Sequence, residues 1–80
     1  MDFGDVIKAM KNDDEKAFAR KGWNGRRMWI ALFIPDSEVT DGETEYEMQS
    51  FIVMKTAQGT LVPWLASQTD MLADDWEEVE

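Results

Sequence analysis

The stretch from Arg27 to Ile34 constrains this chain more than any other. Read as a strand, it sets Met28, Ile30, Leu32 and Ile34 on one face and Trp29, Ala31 and Phe33 on the other. A strand that is apolar on both faces must be covered on both. One helix shields one face of a small sheet, and a chain of 80 residues has little else to offer. At this length only about 60–65% of the unfolded surface is buried on folding, so the core is marginal without outside help. The second face is therefore expected to be a subunit interface, most simply in a closed dimer or a dimer of dimers.

The flanking segments fill in an α+β fold, a small antiparallel sheet with an N-terminal helix and a short C-terminal helix, in one domain spanning residues 1–80. Phe3, Val6, Ile7 and Met10 recur at helical spacing. Asp2 and Asp5 near the start, and Lys8 and Lys11 near the end, suit the helix dipole. Ala17 to Trp23 reads as a short strand, and Asn24-Gly25 as a type I′ hairpin turn. Met48 to Lys55 is a further strand, and Pro63 ends the pairing of Leu61-Val62 because it has no N–H to donate. Ser67 is placed to cap a short helix with Asp70 as its third-residue partner. Trp76 and Val79 then alternate with glutamates, as in an edge strand.

Charge is the second informative feature. Eight Lys and Arg stand against 17 Asp and Glu, a net charge of −9. That balance argues against duplex nucleic acid, whose phosphates require excess cations. Yet Lys16, Arg20, Lys21, Arg26 and Arg27 cluster with no acid among them, whereas Asp36 to Glu47 holds six acids and no base. The basic segment is either a local anion site or a solvated hairpin paired with the acidic loop. The loop resembles a calcium loop only superficially, since its glycine, Gly42, falls at position seven and Thr40 at position five.

No His and no Cys are present, which removes the usual neutral-pH base, the Ser/His and Cys/His pairs, thiolate metal sites and disulfides. Met28 to Pro35, the longest run free of polar and charged side chains, is far short of the roughly 20 residues that span a bilayer. No signal segment is evident, so a cytoplasmic protein without membrane attachment is expected. Neither a cofactor nor a metal is called for. Binding is better supported than catalysis. Trp23 and Trp64 are candidates for stacking on nucleobases, an interaction worth about 1–3 kcal/mol per base. Arg20 and Lys21 are candidates for a phosphate, and Asp70 for ribose hydroxyls or an exocyclic amine. Asn24, Ser67, Gln68 and Thr69 supply neutral donors and acceptors. Each has a structural alternative: the tryptophans as core, Asn24 as turn, Ser67 and Asp70 as cap.

Two blocks are more specific than their parts. One is Arg20-Lys21-Gly22-Trp23-Asn24-Gly25 followed by the aromatic strand. The other runs from Met54 through Val62-Pro63-Trp64-Leu65-Ala66-Ser67-Gln68-Thr69-Asp70 to Asp75-Trp76. Together with Asp2-Phe3-Gly4, the chain resembles the second type of phage Thoeris anti-defence protein over nearly its whole length, with a shorter middle segment from about residue 36 to 49. The resemblance implies a sponge rather than an enzyme: a homodimer or homotetramer that sequesters cyclic ADP-ribose isomers and, in some members, cyclic dinucleotides of CBASS defence, in the host cytoplasm. It implies that Trp23 stacks on a base, that Arg20 and Asn24 meet phosphate or ribose, and that Ser67, Thr69 and Asp70 form a polar wall. Two rivals remain: a carboxylate-dependent, metal-requiring phosphodiesterase, and an acidic inhibitor that binds a protein.

Overall fold

The structure is a computed structural model that describes residues 1–79 and, of Asn24, the backbone alone. Helix α1 (Phe3–Asn12) begins at a capping box: Asp5 N–H donates to the Asp2 carboxylate, and Asp2 N–H to the Asp5 carboxylate. Five strands follow in one sheet: β1 (Ala17–Arg20), β2 (Trp29–Phe33), β5 (Phe51–Lys55), β6 (Leu61–Pro63) and β7 (Trp76–Val79). They lie in the order β6-β5-β2-β1-β7, each neighbour antiparallel. A separate two-stranded hairpin, β3 (Val39–Thr40) and β4 (Glu45–Tyr46), joins β2 to β5, and α2 (Gln68–Leu72) joins β6 to β7. This is the expected α+β arrangement, with the expected edge strand at Trp76.

Register decides which side chains meet. Phe18 pairs with Ile30, Ile30 with Met54, and Leu32 with Ile52, so these share a face. On that face Val6 and Met10 of α1 close over Phe18, Ile30 and Trp76, and all five are buried. The opposite face carries Trp29, Ala31 and Phe33 beside Lys55, Val53 and Phe51, with Leu61 and Pro63 at the edge. Among the described residues both helices lie on the first face. The second is left open, with Phe33 45% and Leu61 56% exposed. Pro63 does pair, opposite Val53, on an edge strand where a missing N–H costs no ladder bond.

Two expectations are corrected. Asn24-Gly25 is no type I′ turn: Lys21–Arg26 form a 3-10 helix, and the positive φ falls at Arg27 (58°) instead of Gly25. Packing overrides the local signal, because this longer connection carries Trp23 onto Trp76. Trp23 is half-buried, and half of the roughly 150–250 Å² an indole can bury is worth about 2–3 kcal/mol, against about 1 kcal/mol of turn preference. The acidic middle is also ordered. Asp41 accepts hydrogen bonds from the N–H groups of Glu43 and Thr44 and the hydroxyl of Tyr46, closing a hairpin in which Gly42 takes φ 102°. This arm projects: the radius of gyration is 14.1 Å, against about 12 Å for a compact chain of this size, and the molecule measures 45 × 27 × 24 Å. No helix among the described residues is long and apolar enough to cross a membrane.

Candidate functional site

Two stretches distant in sequence converge at one corner of the sheet: the end of β1 with the 3-10 helix that follows it, and the run from the exit of β6 through α2 to the start of β7. The hub is Trp76, buried on β7. Its ring lies 5.1 Å from Trp23, 6.1 Å from Trp64 and 5.4 Å from Phe3. Trp23 and Trp64 are themselves 6.1 Å apart, and the three indoles stand nearly perpendicular to one another, at 80–83°. Edge-to-face contact of this kind fixes ring orientation as well as burying area. Trp76 is sealed, whereas Trp23 and Trp64 remain half-buried at the rim.

Beside the rings lies a polar cluster. The Arg20 guanidinium donates through Nε to Asp75 Oδ1 at 2.9 Å and through Nη1 to Asp70 Oδ1 at 3.0 Å. Ser67 caps α2 by accepting from Asp70 N–H at 3.1 Å, and its hydroxyl donates to Asp70 Oδ2 at 2.9 Å. Trp76 Nε1 donates to the Asp70 carbonyl, tying the rings to the helix. The guanidinium, chiefly by its hydrogen bond, holds the Asp75 carboxyl below its ordinary value, while Asp75 and then Asp70 raise the Arg20 pKa. One cation facing two carboxylates leaves the trio with a net charge of −1.

Arg20 is therefore engaged within the chain, not free for a phosphate. The exposed cation next to it is Lys21, which forms no ion pair among the described residues and whose charge also lowers the Asp75 pKa. Trp23, Trp64, Ser67, Asp70 and Arg20 come together at this corner. Gln68 and Thr69 lie exposed on the first turn of α2 beside them. The Asn24 side chain lies outside what the structure describes. Sequence reasoning gave no separate role to Asp75 and Trp76. Both stand in the second motif block, but their part depends on the pairing of Arg20 with Trp76 across β1 and β7, which local sequence does not reveal.

Larger concavities lie elsewhere. At the base of the arm a cleft of about 510 Å³ is lined by Ile34, Pro35 and residues 47–50, and its neighbour of about 300 Å³ adds Asp36 and Glu38. Their size would admit a nucleotide, but every charged residue lining them is an acid, the wrong sign for a pyrophosphate. The tryptophan corner is flanked by Leu65 and Leu72, which are 93% and 83% exposed.

Comparison with known proteins places the chain in a family. Residues 1–79 match the family described as the Thoeris anti-defense 2-like domain. The chain is also 35% identical over 86 residues to "Thoeris anti-defense 2" of Bacillus phage SP01, an alignment covering 99% of this chain and 94% of that protein. With the match running essentially end to end, this chain belongs to the Thoeris anti-defense 2 family.

Proposed function

We propose that this protein is a phage anti-defence sponge: it binds a cyclic ADP-ribose-type immune signal in the cytoplasm of the infected host and holds it without cleaving it. The observation that carries this reading is the convergence of two half-buried indoles, Trp23 and Trp64, with the first turn of α2 at one corner. The rings offer stacking surface to adenine. Ser67, Gln68 and Thr69 offer hydrogen bonds to ribose, and Lys21, without an ion pair among the described residues, offers a cation to the pyrophosphate. Arg20 acts indirectly, by clamping Asp70 and Asp75 so that α2 and β7 are set before ligand arrives. Such preformation matters, because nanomolar capture requires about −12 kcal/mol after ordering costs are met.

The exposed Leu65 and Leu72 support a site completed by a second copy, in a homodimer or homotetramer. Cyclic dinucleotides are a second ligand class of the same chemistry. The phosphodiesterase rival needs convergent carboxylates free to bind metal or water, whereas Asp70 and Asp75 converge on Arg20. The test is recovery: signal incubated with the protein should vanish from solution and return chemically unchanged on heat denaturation. Release of a linear product would overturn the sponge reading.

A further inference from the structure

We propose that residues 65–72 are a gate at the tryptophan corner, latched to the core through Asp70, and that this latch sets how long a captured nucleotide stays. The nucleotide's part rests on the sponge reading; the gate itself stands without it.

The segment is anchored at both ends and barely in between. Trp64 and Ala73 pack against the core, whereas α2 between them buries no residue. Leu65 and Leu72 stand almost wholly exposed and Met71 half-exposed, so no large apolar side chain holds the segment down. Five helical residues are also too few to persist unaided, since isolated helices need roughly 12–15. What holds α2 is polar and runs through one residue. Asp70 Oδ1 accepts from Arg20 Nη1, and the Asp70 carbonyl accepts from Trp76 Nε1 at 3.0 Å. Among the described residues the other hydrogen bonds of α2 are local: Ser67 with Asp70, Met71 N–H to the Ser67 carbonyl, and Ala73 N–H to the Asp70 carbonyl.

Asp70 is thereby committed within the chain. One carboxylate oxygen meets Arg20 and the other the Ser67 hydroxyl, with the side chain only 17% exposed. It is a positioning residue, which sets Ser67, Gln68 and Thr69 in place instead of reaching for ligand itself. An element with few apolar contacts and an exposed backbone opens at well below the cost of global unfolding. Breaking the two Asp70 contacts frees the segment between its anchors and bares the indole edge of Trp76, which is otherwise 2% exposed. A nucleotide hydrogen-bonded to the first turn of α2 binds the closed form better than the open one, so it shifts the gate shut. It then leaves only when the latch breaks. Sequestration depends on holding, and residence time is what such a latch controls.

The test begins without ligand, with hydrogen exchange of the whole chain followed by NMR. The Met71 amide and the Trp76 indole N–H should exchange together, at least about a hundredfold faster than the amides of Ile30 and Ala31, which sit in a strand paired on both sides. Asp70→Asn and Trp76→Phe each remove one latch contact and, with folding confirmed by circular dichroism, should speed Met71 exchange about tenfold more than Ile30 exchange. With a cyclic ADP-ribose isomer, stopped-flow indole fluorescence should show both variants releasing ligand about tenfold faster while associating no more slowly. A Trp76 indole that exchanges with the strand amides, or a Met71 amide protected as well as Ile30, would overturn the gate whatever the ligand does. Faster release from Asp70→Asn with none from Trp76→Phe would make Asp70 a ligand contact and overturn the latch. A parent protein that exchanges as expected yet binds no isomer would sustain the gate and overturn its part in retention together with the sponge reading.

Discussion

Arg20 shows how much a single residue's meaning depends on its partners. Composition marks it as one of few cations in an acidic chain, yet two carboxylates already occupy its guanidinium. Its consequence is a pH dependence. The folded Asp75 carboxyl titrates below its ordinary value, so the stability it contributes is complete above that ordinary value and disappears as pH falls through the lower folded one. Asp75→Asn should therefore destabilise the protein near neutral pH and flatten its acid limb, as read by urea denaturation at about pH 7 and about pH 3. Thr69 is the contrasting case, exposed and outside the clamp. Thr69→Ala should leave the melting temperature unchanged while weakening nucleotide binding by about two- to tenfold, the worth of one hydrogen bond. Calorimetry of the variant checks both halves.

Elements were legible where one strong pattern decided them. Val6 and Met10 at helical spacing gave α1, and the alternation from Trp29 to Phe33 gave β2 with its two apolar faces. Both core positions of α1 are fully buried, so Met10→Ala should cost about 2–5 kcal/mol in chemical denaturation. Ser67 was readable as a cap because capping is local; Ser67→Ala should cost about 0.5–2 kcal/mol and also loosen Asp70, its partner in the polar cluster. The connection from Arg20 to Trp29 was not readable. Its Asn-Gly pair signals a tight turn, but the chain spends extra residues to seat Trp23 against Trp76, a contact set by tertiary distance. The arm was hidden for a similar reason: its closure rests on Asp41 and Tyr46, with no apolar periodicity to announce it.

At the scale of the whole molecule, charge and shape are divided by region. The tryptophan corner gathers most of the residues singled out from sequence, while acids line the larger clefts at the foot of the arm. Which residues belong to the corner was legible as two motif blocks; that Arg20 is occupied by Asp70 and Asp75 required the register of β1 against β7. A small chain gains a preformed site cheaply by packing indoles on one another, because ring orientation is then fixed by the core itself. The most direct measurement is calorimetric titration of the purified protein with a cyclic ADP-ribose isomer. Saturable binding with a dissociation constant near the nanomolar range is expected, together with a change in indole fluorescence as Trp23 and Trp64 take up the base. A folded protein that gives no heat with any such isomer, or one whose indole emission stays constant while ligand binds, would contradict it.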